Sequence, residues 1–253
     1  MKSLTSYIQE KLIIKKSKAI NYKYFPQTKK ELQDIILKRI KEEGNKVNLN
    51  DIDVSNITDM SYLFSRNKIF NGDISYWDVS NVTSMSGMFF MCSKFNQDIS
   101  SWDVSKVTDM RDMFYWCESF NQDISKWDVS NVKDMNSMFY ECKAFNQDIS
   151  SWDVSSVNNM SYMFCKCNSF NGNISNWDVS NVKDMSSMFL SCETFNQDIS
   201  NWDVSNVENM SYMFAGCKVF NQDLSKWDVS NVKEHYFIFS VCGIQDKYKP
   251  KFK

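Results

Sequence analysis

Hydrophobic and polar positions recur along the chain with a period of 25 residues. Methionine, phenylalanine and cysteine positions keep this spacing, and no insertion shifts the register. A fixed repeat of this size is typical of proteins in which equivalent units stack on one another. We number the units 1 to 8, with unit 1 beginning at Ile52 and unit 8 at Trp227. Tryptophan marks the period and is followed each time by Asp-Val-Ser, at Trp77, Trp102, Trp127, Trp152, Trp177, Trp202 and Trp227.

The spacing of apolar residues changes within each unit. Around the start of unit 3, apolar and polar residues alternate, which predicts a short strand with Trp102 and Val104 pointing to the core. From Val107 to Cys117 the apolar residues are three or four positions apart, which predicts a short helix or 3₁₀ turn. No unit can bury its apolar side alone, so the strands should join into one parallel sheet as the units stack. The prediction is an α/β solenoid.

The two ends of the chain depart from the repeat. Thr28 and Glu31 predict a capping box that opens a helix through about Lys41, and Gly44 is expected to end it. That helix should cover unit 1. At the other end, His235 replaces methionine and a lysine-rich tail follows. We therefore divide the chain into an N-terminal helical cap (1–50), a repeat solenoid (51–243) and a basic C-terminal tail (244–253).

Composition and charge exclude several functional classes. Lys and Arg number 29 against 31 Asp and Glu, and this balance gives no overall electrostatic reason to bind nucleic acid or anionic lipid. Polar residues interrupt the apolar segment 7–14, so we expect neither a signal peptide nor a membrane span. On this criterion alone the expected location is cytoplasmic.

Seven of the eight cysteines follow the packing period, and Cys165 is the only departure. Equivalent cysteines in stacked strands would lie about 4.8 Å apart, which would permit some disulfides. Buried reduced thiols are nevertheless the favoured interpretation, because free cysteine packs as a small apolar residue. Cys165 and Cys167 lack a second cysteine pair or a nearby histidine and give only a weak zinc signal. We therefore predict no metal site and no cofactor.

One aspartate per unit follows the tryptophan and is expected on the face opposite the core. At a spacing of about 5 Å, neighbouring carboxylates would repel each other by roughly 0.8 kcal/mol in water. Local hydrogen bonds from serine and asparagine, cations or a basic partner could each offset this repulsion, and the alternatives stay open. If a basic partner binds this face, Asp103, Asp128 and Asp153 are the candidate binding residues. This acidic stripe comprises Asp53, Asp78, Asp103, Asp128, Asp153, Asp178, Asp203 and Asp228.

A second acidic series precedes each tryptophan by four residues and is interrupted by Asn173. A calcium site would tolerate that interruption poorly, so capping of a turn is the predicted role. The series comprises Asp73, Asp98, Asp123, Asp148, Asp198 and Asp223.

Positions that vary between units carry more information about recognition than those that repeat. Just after the inward phenylalanine, apolar bulk is concentrated in units 2 to 4. If these side chains are exposed, they form one contiguous contact patch; alternatively, they thicken the core between units. The patch comprises Phe90, Met91, Tyr115, Trp116 and Tyr140.

The repeat also resembles known families. Residues 99–104 are similar to the Leu-x-x-Leu-x-Leu core of leucine-rich repeats, and Met113-Phe114-x-x-Cys117 resembles the BspA-like signature. Residues 145–155, Phe-Asn-Gln-Asp-Ile-Ser-Ser-Trp-Asp-Val-Ser, are similar to the repeat of mycoplasma-type surface lipoproteins, also called PARCEL repeats. The resemblance covers roughly 51–243 and implies a right-handed leucine-rich-repeat-like solenoid with one short parallel strand per unit. It also implies a surface or secreted protein of adhesion or recognition.

No arrangement of catalytic residues is recognisable. His235 stands alone in a terminal unit, the serines lack a His/Asp pair, and no phosphate-binding glycine loop occurs. The prediction is therefore a non-enzymatic scaffold that binds a protein partner and is favoured to be a monomer. The alternatives are a structural or self-assembling repeat module and a cation-binding solenoid that uses its aspartate ladders.

Overall fold

The computed structural model describes residues 21–252, so the segment 7–14 and the first part of the predicted cap lie outside the described residues. Helix α1 spans Lys29–Glu43, and a single 3₁₀ turn spans Asp246–Tyr248. The Thr28 side chain accepts a hydrogen bond from the Glu31 amide, and Gly44 ends the helix at φ 87°. Helix α1 therefore begins as predicted and ends within two residues of the expected position.

Helix α1 covers the apolar side of unit 1. Leu32 and Ile36 are buried in the same continuous core as the repeat residues. Arg39 is 8% exposed and its Nη1 lies 2.8 Å from Asp51 Oδ1, while its Nε is paired with Glu43. This ion pair fixes the helix to the start of unit 1, because Asp51 directly precedes Ile52.

Successive units stack in parallel, and each junction contains an isolated parallel bridge between equivalent positions. Among residues 21–252 no longer strand is formed. Eight of the bridged positions lie just before the methionine position of the units, which His235 occupies in unit 8; they are Asp59, Ser84, Asp109, Asp134, Asn159, Asp184, Asn209 and Glu234.

The strand predicted at Trp-Asp-Val is not formed, although its tryptophan and valine are buried as expected. In unit 3, Trp102 N–H donates to Ile99 O and Val107 N–H donates to Val104 O, so this stretch is a pair of tight turns. Asp103 reinforces the second turn, because its Oδ1 accepts from the Ser105 amide at 3.1 Å. Such an aspartate turn uses donors that a strand ladder would need. The alternation arises from turns that direct every second side chain inward.

The helix or 3₁₀ segment predicted between Val107 and Cys117 is also replaced by turns. Asp112 and Trp116 adopt left-handed backbone conformations, with φ of 56° and 60°. A residue at positive φ cannot continue a right-handed helix. These two left-handed positions recur in every unit, where they divide the apolar segment into short turns.

The left-handed positions direct alternate main-chain N–H groups toward the next unit. At the junction of units 3 and 4, the N–H groups of Met110, Asp112, Phe114 and Trp116 donate to carbonyl oxygens 24 residues further along the chain, at 2.7–3.2 Å. All seven junctions contain the same four bonds in the same direction. This row of bonds is therefore polar, with its main-chain donors directed toward the C-terminal end of the stack.

Stacked rings and buried side chains fill the interior. Phe114 lies 5.7 Å from Phe139 of the next unit and 4.0 Å from Phe120 of its own unit, measured between ring centroids. Each repeat tryptophan donates its indole N–H to a main-chain carbonyl 28 residues earlier in the chain, as Trp152 does to Ile124 O at 3.0 Å. The core is thus continuous from α1 to unit 8, and the apolar side chains of each unit are covered by the neighbouring units.

Candidate functional site

The predicted aromatic patch lies on the outside of units 2 to 4 as a row of stacked rings. Phe90 and Tyr115 have ring centroids 4.7 Å apart, and Tyr115 and Tyr140 are 4.5 Å apart. The three rings are half-buried and lie outside the continuous core. Each of the three rings therefore keeps part of its surface open to solvent beside the core.

Two tyrosines that sequence reasoning missed extend this row at both ends. The Tyr62 ring lies 6.3 Å from Phe90, and the Tyr162 ring lies 6.4 Å from Tyr140. Tyr62 folds over Gly87, where an added Cβ would meet its ring at 2.2 Å. Gly87 stands where the other units carry a residue with a side chain, and this difference in the sequence could have indicated that a neighbouring ring covers the position. We call the five rings, Tyr62, Phe90, Tyr115, Tyr140 and Tyr162, the aromatic row.

Trp116 projects beside the aromatic row and is 37% exposed. Its indole N–H donates to Glu141 Oε2 at 2.5 Å, and Glu141 Oε1 accepts from Lys166 Nζ at 2.7 Å. Burial favours protonation of Glu141, but the hydrogen bonds from Lys166 and Trp116 hold the pKa of its carboxyl below the ordinary value. Trp116 is consequently held in place by an ionised carboxylate while one side of its ring remains open.

An open cavity of about 280 Å³ lies next to Trp116. Met91, the remaining predicted patch residue, lines it together with Trp116, and Lys68, Ser93 and Glu118 complete the wall. The cavity combines apolar surface with charges of both signs. Such a concave site beside an exposed tryptophan can receive an apolar side chain of a partner.

A second depression, of about 340 Å³, contains polar residues of units 1 to 4. Arg111 pairs with Asp109 at 2.7 Å within it. Burial, together with the charges of Asp109 and Asp134, raises the pKa of Asp112, although Arg111 opposes this shift. Sequence reasoning missed Arg111 and Asp112, although no other unit has a charged residue at either position.

The acidic stripe is satisfied locally. In all eight units, Oδ1 of the stripe aspartate accepts a hydrogen bond from the serine amide two residues later, as Asp128 does from Ser130 at 3.1 Å. Hydrogen bonds from Ser155 hold the pKa of Asp153 below its ordinary value. Local hydrogen bonds from serine thus reach every aspartate of the stripe, and the candidate residues Asp103, Asp128 and Asp153 are all exposed on one face.

The second acidic series caps turns, as predicted. Asp123 Oδ1 accepts from the Ser125 amide at 2.9 Å, and Asn173 makes the equivalent bond to Ser175 at 3.0 Å. Asparagine replaces aspartate here without loss of the bond. Within residues 21–252, no three His, Cys, Asp or Glu side chains are grouped so that they could hold a metal ion.

The thiols lie where the period placed them. Seven of the eight cysteines are buried and Cys242 is half-buried. Each repeat thiol donates a hydrogen bond to a phenylalanine carbonyl of the preceding unit. Cys117 Sγ, for example, lies 3.0 Å from Phe89 O. Burial raises the pKa of Cys92 to about 12. These thiols therefore act as small packing groups and weak donors.

Comparisons with known proteins address the whole repeat. The family described as "Mycoplasma protein of unknown function, DUF285" matches residues 35–152 and again residues 134–249, so that two copies of its pattern follow one another. Neither the curated proteins nor the solved structures provide a significant match. In the part of the chain that the structure describes, no helix has the length and apolar character needed to span a membrane.

Proposed function

This chain belongs to the family of Mycoplasma proteins of unknown function, DUF285. We propose that the chain is a non-enzymatic scaffold that binds a protein partner. The observation that carries the proposal is the aromatic row beside the exposed Trp116. The repeat needs none of these rings for its core, since other units place Cys165, Leu190 or Ala215 at the position of Tyr115, and Ser137 or Ser187 at the position of Tyr62. Recognition or adhesion at a cell surface, and a right-handed leucine-rich-repeat-like solenoid, form the finer part of the proposal.

The proposed contact surface is well suited to hold a partner. Its rings are already stacked and Trp116 is already hydrogen bonded, so little side-chain entropy remains to be lost on binding. Aromatic anchors beside a cavity are the usual centres of binding energy at protein interfaces. The cavity at Met91 and Trp116 would take an apolar side chain, while Lys68 and Glu118 would meet polar groups at the rim.

Photo-crosslinking in the native cell tests this surface. A photoreactive amino acid at residue 91, beside Trp116, should give an adduct with a partner protein, whereas the same group at exposed residue 219 in unit 7 should not. Combining the residue 91 probe with Trp116→Ala and Tyr140→Ala should abolish the adduct. Loss of an interface anchor typically costs about 2 kcal/mol or more of binding.

Two controls separate this proposal from its rivals. Tyr212→Ala removes a ring that is 42% exposed and outside the aromatic row, and it should leave the adduct intact. A triple change of Asp103, Asp128 and Asp153 to Asn should also leave it intact. If only the triple change abolishes the adduct, the acidic stripe is the binding face. An adduct that contains two copies of this chain would instead support the self-assembling module.

A further inference from the structure

Unit 8 displays a row of main-chain donors that have no acceptor within the part of the chain that the structure describes. The N–H groups of His235, Phe237, Phe239 and Val241 are equivalent to those that bridge every internal junction. Within residues 21–252 none of the four donates a hydrogen bond to another group of the chain. Phe237 and Val241 are left-handed, with φ of 52° and 55°, so the conformation that directs alternate N–H groups outward persists in unit 8.

The C-terminal tail covers only part of this end. Tyr248 O accepts from the Leu224 amide, and the Phe252 ring stacks 4.4 Å from His235. Tyr236, Phe237 and Val241 remain 64%, 65% and 75% exposed. Unpaired donors and large exposed apolar side chains therefore occur along the same stretch. Exposed edges of this kind accept a further strand or extended segment.

The seven internal junctions show what covers such a row. Each donor row there meets the stretch of the next unit that carries four carbonyls at alternate residues, as Asn209, Ser211, Met213 and Ala215 do for unit 6. N–H groups in alternating right- and left-handed conformations favour negatively polarised atoms, and carbonyl oxygens supply them. The exposed side chains of unit 8 would pack against apolar residues that alternate with these carbonyls.

We propose that the open edge of unit 8 binds an extended segment of another polypeptide, which offers carbonyls at alternate residues and apolar side chains between them. Stacking on the N-terminal end of a second copy is disfavoured, because helix α1 lies there: Lys29 Nζ contacts Asp59 and Ser61, next to the carbonyls that such a copy would have to offer. This edge is separate from the aromatic row, which ends in unit 5. The proposal for the edge and the proposal for the aromatic row can therefore be tested independently.

A synthetic peptide with the sequence of residues 206–217 is the probe, since it carries the carbonyl row that covers unit 6. Added to the full chain, it should slow amide hydrogen exchange at residues 235–241 at least tenfold, while a scrambled peptide should not. Fluorescence anisotropy of the labelled peptide gives its affinity in parallel. Val241→Asp, which places a charge at the edge, should weaken binding at least tenfold.

The matched control is Val219→Asp, which adds the same charge at a valine that is 51% exposed and lies outside the row. It should bind the peptide as the unchanged chain does. Equal loss in the two variants, or slowed exchange with the scrambled peptide, would overturn the proposal. The proposal would also be overturned if amide exchange at residues 235–241 slowed without peptide because the chain dimerises, or if phosphate alone slowed it. None of these outcomes bears on the crosslink at residue 91.

Discussion

At the scale of single residues, each repeat tryptophan combines a large buried ring with one hydrogen bond to a main-chain carbonyl 28 residues earlier. Trp152 is 3% exposed, and its indole N–H meets Ile124 O at 3.0 Å. Its ring also stacks on Trp177 of the next unit, with centroids 6.4 Å apart. A cavity at this position would be bounded by two units that cannot collapse independently.

We therefore expect Trp152→Ala to lower the free energy of unfolding by about 3–5 kcal/mol, the range for loss of a large buried aromatic side chain. Trp152→Phe keeps most of the apolar volume but leaves Ile124 O without the indole donor, and it should cost less. Urea unfolding measured by fluorescence or circular dichroism gives both values. A loss below about 1 kcal/mol for the alanine variant would mean that the ring does not contribute to the core.

The cysteines give a second prediction at this scale. Burial raises the pKa of Cys92 to about 12, so at pH 8 only about one thiol in ten thousand is ionised. Because the thiolate is the reactive form, labelling should rise about tenfold per pH unit as the pH is raised toward that pKa. In the folded chain, a thiol reagent followed by mass spectrometry should modify the half-buried Cys242 first. Rapid labelling of Cys117 or Cys142 would contradict the buried ladder.

At the scale of elements, α1 depends on the ion pair between Arg39 and Asp51. Burial raises the pKa of Asp51, but hydrogen bonds from Arg39 and Lys23 outweigh this and lower it overall. A carboxyl whose folded pKa is lowered stabilises the fold above its unfolded pKa, and that contribution is lost as the pH falls through the folded pKa.

Asp51→Asn should therefore lower the free energy of unfolding at pH 7 by about 1.5–3 kcal/mol, the range for a hydrogen bond to a charged group. The difference from the unchanged chain should shrink as the pH falls below about 4, where the unfolded carboxyl becomes protonated. Chemical unfolding at a series of pH values measures it. A difference that is constant from pH 7 to pH 2 would show that the charge of Asp51 has no part in holding α1.

At the scale of the whole molecule, stability is set by contacts between neighbouring units, because most main-chain bonds outside α1 cross a junction or close a turn within one unit. Ile149 lies between two regular units, whereas Ile52 has a regular unit on one side only and the N-terminal segment on the other. Both are buried isoleucines, at 0% and 1% exposure, so they are matched in residue type and burial, although Ile52 stands at the tryptophan position of the repeat and Ile149 three residues before the next tryptophan.

Ile149→Ala should cost about 2–5 kcal/mol, as is usual for a buried isoleucine, and Ile52→Ala should fall at or below the lower end of that range. The end segment can relax into the space that is created, whereas a middle layer is held on both sides. Equilibrium unfolding of the two variants decides the comparison. A greater loss at Ile52 would mean that the N-terminal segment, and not the middle of the stack, limits stability.

The sequence by itself determined the period, the inward residues and the helix. Trp102, Phe114 and Cys117 could be assigned to the core because repetition and apolar character are local properties of the chain. Thr28 and Gly44 determined α1 in the same way, since capping acts within one turn of helix. The hydrogen bonds of the acidic stripe are also local, because each aspartate accepts from the amide two residues later, but the sequence left open whether serine, a cation or a partner offsets the charge.

Only the tertiary structure decided the backbone path within a unit and the composition of the candidate site. Asp112 and Trp116 adopt left-handed conformations that cost about 1–2 kcal/mol each, and these persist because their N–H groups reach carbonyls of the next unit. Alternation alone cannot distinguish such turns from a strand. Tyr62 joins Phe90 because stacking brings together residues about one repeat apart, which no local pattern reveals.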